Sequence, residues 1–332
     1  MHLKIFHGDE IIIYQDIDKT FFRVRTEDGL MNLQFDISPY HPQYKYFDLY
    51  VQIEFDNQLY LITGINERKS ISTITCDLDL TGLSSNGFSY FHWTNQTFAS
   101  VTDTILEGTG WSILGASTVT KKSTTKIDEF RTSFEILDYF RNVTSYNACY
   151  KFNAKTKTIT VIHPYNNTAA SGVYFTDDLN LVDLAYKGSA LNIVTKLYPV
   201  GKDGLRISNI NNGKSYIENH IFTDRTIIAE WRDERYTDPQ ALLDDARLKL
   251  AEAAKPEQSY TVKVIDLAKL LPDKYGDVLS YDLYDIVTII DRRRNKRLDH
   301  RIVEIKEYPA DPTLNTIVLS TKPLKIKTVR KR

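Results

Sequence analysis

Along residues 47–55 the side chains alternate, Phe47, Leu49, Val51, Ile53 and Phe55 against Asp48, Tyr50, Gln52 and Glu54. A period of two sends successive side chains to opposite faces, so this stretch predicts a half-buried strand. The turn-forming Asp56-Asn57-Gln58 and then Leu59-Tyr60-Leu61-Ile62 extend it to a predicted hairpin over 47–65. Apolar runs at 3–6, 11–14, 21–25 and 71–78 predict further strands, and residues 1–85 read as an all-β unit, a barrel or a sandwich. The period then changes. Phe98, Val101, Thr102 and Ile105 share one face of a helix that Thr94 or Asn95 would cap and Gly108 would stop. Thr132-Ser133-Phe134-Glu135 has capping-box spacing and opens a second helix with Ile136, Phe140 and Val143 as its buried stripe. Strands at 148–152 and 158–162, joined by a turn at 153–157, complete a small α+β unit over 86–165.

Strand character returns at 173–176 and 191–200, followed by a turn-rich, Gly- and Asn-rich run at 201–214. Asp238-Pro239 then opens a helix over 239–255. Asp244 and Asp245 fall early in it, Arg247 and Lys249 late, and Pro256 beyond. Its apolar face is Leu243, Ala246, Leu250 and Ala253 or Ala254. Strands are predicted at 259–267, 284–290, 300–308 and 314–320. The whole reads as a mixed, β-rich α+β protein. A second β-barrel begins over 166–205, carries a helix-containing insertion over 206–257, resumes over 258–325 and ends in a basic tail, 326–332. No period of 20 to 50 residues marks a solenoid.

At about 150 residues per domain, a chain of 332 residues makes two to four structural units. Its 42 basic and 43 acidic residues leave a formal charge of -1, which advertises no polyanionic partner. The 21 Tyr and 15 Phe against 14 Gly suit a β-rich globular protein. The amino terminus, MHLKIFHGDEIIIYQD, lacks the apolar core of a signal peptide, and no window has the length of a membrane span. Synthesis in the cytoplasm is expected, which makes the sequon Asn142-Val143-Thr144 a chance occurrence. Cys76 and Cys149 form neither a disulfide framework nor a metal pattern and read as small buried hydrophobes.

The candidates for chemistry fail on spacing. Cys149 has His163 nearby across the predicted hairpin but lacks a third, orienting group. The seven histidines show no zinc spacing, no phosphate-binding glycine loop occurs, and Gly201-Lys202-Asp203-Gly204 is a turn. Asp244 and Asp245 are explained by the positive end of their helix. Tyr44-Lys45-Tyr46-Phe47 and Ser89-Tyr90-Phe91-His92-Trp93 are candidate sugar-stacking platforms, although aromatics are also ordinary strand residues. No catalytic, cofactor-binding or metal-binding residue is assigned, and no cofactor is expected. The densest charge is Arg292, Arg293, Arg294, Lys296 and Arg297. Ile286 and Ile290 precede it on one face with Val287 and Ile289 on the other, and Val303 and Ile305 alternate with Glu304 and Lys306 after it. That parity places the knot at a hairpin tip. Three readings stay open: a solvated tip, a loop contacting an acidic protein surface, or a nucleic-acid grip.

The order of elements resembles a family, the tail hub proteins of bacteriophages and prophages, which include the prophage endopeptidase tail family. The resemblance rests on Asp28-Gly29-Leu30-Met31-Asn32-Leu33-Gln34-Phe35, on Thr132 to Ile162, and above all on YDIVTIID and HRIVEIKEYPADPTLNTIVLS near the end. It spans essentially the whole chain.

The resemblance implies a homotrimer in which each chain contributes two tube-type β-barrels. Six barrels would make a pseudo-hexameric ring that continues and closes the tail tube at the tip or baseplate of a virion. Distal tail, tail tube and tape-measure proteins would be its partners, with the host cell surface beyond. DNA would pass through the lumen without specific binding, so the lumen should be neutral to acidic. Longer members carry lytic or receptor-facing domains after the hub module; this sequence stops at Arg332, so peptidase activity is not expected. Two alternatives remain, a host-surface or carbohydrate-binding baseplate protein and a cell-wall hydrolase.

Overall fold

The structure is a computed structural model and describes residues 1–120, 122–142, 148–164, 169–190, 192–234 and 236–321. Contacts divide the chain into two units. The first takes Met1–Asp183 and Val262–Val318, the second Leu184–Thr261 with residues from Leu319.

The first unit opens with seven strands: β1 (Leu3–His7), β2 (Glu10–Tyr14), β3 (Phe22–Thr26), β4 (Met31–Ile37), β5 (Gln52–Phe55), β6 (Gln58–Glu67) and β7 (Ser72–Leu78). The alternation at 47–55 is only half strand. Tyr44–Tyr46 forms a 3₁₀ turn and Tyr50 has φ +65°, so the chain straightens only at Gln52. Phe47 is still buried, against Tyr14 and Phe35, while Leu49 and Tyr50 face solvent. The hairpin itself forms as predicted. Asp56 and Asn57 take φ +49° and +59°, the left-handed pair that matches the twist of a two-residue turn.

Next come α1 (Thr81–Ser84), β8 (Gly87–Phe88), β9 (Phe91–Thr97), α2 (Phe98–Leu106), β10 (Ser112–Leu114), β11 (Lys122–Ile127), β12 (Arg131–Thr132), α3 (Ser133–Asn142), β13 (Cys149–Asn153) and β14 (Thr158–Ile162). The cap of α2 is Thr97, whose hydroxyl accepts from Ser100 N–H; Thr94 and Asn95 belong to β9. The predicted stop holds, with Gly108 at φ +75°. At α3 the capping box is made. Thr132 Oγ1 accepts from Glu135 N–H at 3.2 Å, and Glu135 Oε2 accepts from Thr132 N–H at 2.7 Å. Val143, read as part of the helix stripe, lies outside the described residues, as does the tail 326–332. One continuous core runs from Leu3 and Ile5 through Phe98, Phe140, Tyr150 and Phe152 to Val161. Gly29, at φ +84° in the β3–β4 turn, lies so close to β13 that a Cβ would stand 2.4 Å from the Tyr150 carbonyl oxygen.

The chain continues through β15 (Tyr174–Phe175) and β16 (Leu181–Ser189), which the apolar pattern did not predict and which carries it into the second unit. There β17 (Lys196–Val200) pairs antiparallel with β18 (Ile217–Glu218) and parallel with β19 (Ile228–Arg232). The strand predicted from 191 thus starts only at Lys196. Helix α4 (Pro239–Ala253) is capped by Asp238, which accepts from Ala241 N–H, and buries Leu243, Ala246, Leu250 and Ala253 as its pattern required.

β20 (Glu257–Val264) returns to the first unit, where two short helices unforeseen in the sequence follow, α5 (Leu267–Leu270) and α6 (Pro272–Leu279). Their signals are Asp266, which caps α5, and Pro272 at the first turn of α6. Then come β21 (Ile286–Asp291), β22 (Lys296–Glu307) and β23 (Thr316–Thr321). β22 begins four residues before the predicted 300, and its parity shifts midway. Ile302 and Ile305 are both fully buried while Val303 is half-buried, so Val303 and Ile305 do not share the core face.

Within the first unit the strands run β2-β1-β5-β6-β7-β4-β3-β22-β23, with β21 on β22 and β15 on β21. The fold is β-rich and mixed. β2 is an end strand, and no closed barrel forms among the described residues.

Candidate functional site

The five basic residues singled out in the sequence lie together at the β21–β22 tip. Asp291 and Lys296 are the last pair of the hairpin, Arg292–Arg294 make one 3₁₀ turn, and Asn295 closes it at φ +50°. Asp291 is 2% exposed. Its carboxylate accepts the Arg294 N–H at 3.2 Å and stands 3.8 Å from Arg293 Nε and 4.0 Å from Arg294 Nη1. Arg292 pairs with Asp178. The composition of the knot therefore overstates its free charge, because three arginines face carboxylates. Lys296 and Arg297 are exposed and make no ion pair among the described residues. With their side chains 41–65% exposed, the arginine pairs add little stability.

A second charged cluster, which sequence reasoning missed, lies where β22 meets β3. Glu307 pairs with Arg23 across the strands and Ile305 with Arg25. One carboxylate collects three cations: Arg23 Nη2 at 2.9 Å, Arg25 Nε at 3.2 Å and Lys269 Nζ at 2.9 Å. Each cation has a second acid, Asp56 for Arg23, Asp282 for Arg25 and Asp266 for Lys269. Burial alone would raise the Glu307 pKa, but Arg23, Arg25 and Lys269 overcome it and bring it from 4.5 to about 2. The same pairing raises both arginines against the opposing effect of their own burial. Beside the cluster lies an open groove of about 680 Å³, lined by Lys4, Glu54, Asp56 and Lys269 among others. Glu54 takes Lys4 at 3.1 Å and Lys155 at 2.8 Å. Acids and bases neutralise one another throughout, so the cluster acts as a tie between the two ends of the sequence.

The remaining candidates are built into the fold. Cys149 is buried on β13, and His163 Nε2 is engaged with Thr118 Oγ1 at 2.7 Å. Burial also pushes the Cys76 thiol well above its ordinary pKa, as expected of a core residue. Tyr44 bonds Glu67 and Ser72, and Trp93 packs edge-on against Phe140. Tyr90 remains 68% exposed, beside His92, whose ring reaches Asp128 at 2.5 Å. Among the described residues, no group of three His, Cys, Asp or Glu side chains is placed to hold a metal ion. No helix among the described residues is long and apolar enough to cross a membrane.

Comparison with known proteins gives these elements a context. Residues 169–330 match the sequence model of the prophage endopeptidase tail family. No curated protein matches the sequence. Among solved structures, the fold is similar to prophage tail protein gp18 from Listeria monocytogenes, at 16% identity and a TM-score of 0.69, covering 97% of this chain and 95% of that one. It is similar to the tail protein from Neisseria meningitidis, at 10% identity and a TM-score of 0.63, covering 96% of each. It is also similar to the 43 kDa tail protein of prophage MuSo2 from Shewanella oneidensis, at 12% identity and a TM-score of 0.61, covering 97% and 98%. Residues 169–330 thus resemble the prophage endopeptidase tail family in sequence, and nearly the whole chain shares the fold of these tail proteins.

Proposed function

We propose that the chain is a structural hub of a phage or prophage tail, a trimer in which each copy supplies two tube-type β-barrel domains to a pseudo-hexameric ring. The ring continues and closes the tail tube at its tip and later lets DNA through. The observation that carries this reading is near full-length agreement of fold with several tail proteins, together with the family match at the carboxy-terminal half. A chain of -1 formal charge suits a conduit, because a lumen that neutralised many phosphates would retain DNA. The role is non-enzymatic, its partners are neighbouring tail proteins, and its place is the virion tail. The basic tip at Arg292, Arg293, Arg294, Lys296 and Arg297 is a contact loop for an acidic neighbour, with Lys296 and Arg297 as its unpaired charges.

Light scattering after size exclusion tests the assembly. Three copies of a 38.3 kDa chain give about 115 kDa. The same measurement repeated with partner tail proteins covers assembly on a tube end. A chain that stays monomeric at high concentration and joins no ring with those partners refutes the hub. A second reading, saccharide binding, draws on exposed Tyr90 beside the His92–Asp128 pair. It predicts quenching of Trp93 emission by host-surface saccharides, and unchanged emission removes it.

A further inference from the structure

β2 ends the sheet of the first unit: it pairs with β1 on one side and with no strand on the other among the described residues. An end strand is ordinarily blunted by charge, proline or a bulge, because its free backbone groups template association. β2 reads EIIIY and has no such guard at its centre. Ile11 is 58% exposed and Ile13 41%, on one face two residues apart, while Ile12 packs on the core and Tyr14 is buried. Among the described residues, the only side chain hydrogen-bonded to the free edge is Gln43, whose amide donates to the Ile13 carbonyl at 2.9 Å.

Charge surrounds the edge without covering it. Asp9 and Glu10 lead into β2 and Asp16 and Asp18 follow, all exposed. Asp16 bonds His41 and Asp18 bonds Thr20, whereas Asp9 and Glu10 make no ion pair among the described residues. The nearby cations are few. Lys4, opposite Ile13, is held by Glu54, His7 lies opposite Glu10, and Lys19 follows Asp18.

We propose that β2 is a docking edge for a basic strand of another chain that carries apolar residues at alternate positions. Only an extended segment satisfies a row of unpaired backbone groups. Apolar side chains at i and i+2 of that segment cover Ile11 and Ile13, and lysine or arginine beyond them meets the carboxylates at both ends of β2.

The test uses the full chain and a labelled seven-residue peptide alternating lysine with isoleucine, followed by fluorescence anisotropy. Saturable binding is expected. It should weaken at least about tenfold when Ile11→Lys and Ile13→Lys are combined, and similarly when glutamate replaces the peptide's lysines. Amide exchange at residues 10–14 should slow on binding. No saturable binding, or unchanged binding by the variant, overturns the proposal. Equal binding of a peptide with its isoleucines grouped together shows charge attraction without strand addition and also overturns it. So does self-association through β2 that the same double variant abolishes, since the occupant is then a second copy.

Discussion

Replacing Glu307 with Gln removes the charge that holds Arg23, Arg25 and Lys269 and keeps the shape of the side chain. The Glu307 side chain is 6% exposed, so solvent screens this change weakly. Its pKa falls from 4.5 in the unfolded chain to about 2 in the folded one. A depressed carboxyl pKa stabilises the fold at pH values above 4.5, and that contribution is lost as the pH falls towards 2. The shift corresponds to about 3 kcal/mol at pH 7, decreasing by roughly 1.5 kcal/mol between pH 6 and pH 3.5. Urea unfolding of Glu307→Gln and the parent, both carrying Trp231→Phe, reads the first unit through Trp93 and Trp111. The expected result is a gap of about 3 kcal/mol at pH 7 that narrows on acidification. A gap below about 1 kcal/mol, or one of constant size across that range, refutes the view that ion pairing holds β22 to β3.

Gly29→Ala should destabilise by more than about 2 kcal/mol in a thermal melt, because φ is +84° and the added Cβ meets the Tyr150 carbonyl; a melt within error of the parent counts against that contact. Thr132→Ala breaks the capping box of α3 and should cost about 1 kcal/mol in the same urea titration, with Thr132→Ser restoring most of it. Joint replacement of Arg292, Arg293 and Arg294 with Ser should leave circular dichroism unchanged and the melting temperature within about 2 °C, since the three guanidinium groups are exposed and buried Asp291 keeps its bond from the residue-294 N–H. A collapse of the fold would show that the tip carries the hairpin.

What the sequence disclosed depended on the range of the interactions involved. Strands β1, β2, β3, β6 and β7, the capping box at Thr132 and the helix from Pro239 are local patterns, and they formed close to where the pattern placed them. Tyr50 broke the alternation at 47–55 because a left-handed backbone conformation at a non-glycine residue leaves no mark in a hydrophobicity pattern. Helices α5 and α6 were hidden by their length, too short to show a period, although Asp266 as a cap and Pro272 as a first-turn residue are start signals in the sequence. The basic tip was found by composition and placed by its flanking strands. Its partner Asp178 could not be, being 114 residues away. The Glu307 cluster escaped for the same reason. Arg23 and Arg25 look like solvent-facing residues of FRVRT until β22 is brought beside them.

The β3–β22 pairing also sets a timetable. Arg23 and Glu307 are 284 residues apart, so a ribosome adding 5–20 residues per second takes roughly 15–60 s between synthesising one and the other. Until β22 is made, β3 has β4 on one side and lacks its partner on the other, while Leu184–Thr261 of the second unit is synthesised within the same interval. The nascent chain must keep this open edge from pairing with neighbouring chains on the same message. Until then Arg25 stands on that edge without an acid and Arg23 with Asp56 alone, and such edge charges discourage premature strand pairing. The same two arginines thus protect the edge during synthesis and lock it once β22 arrives.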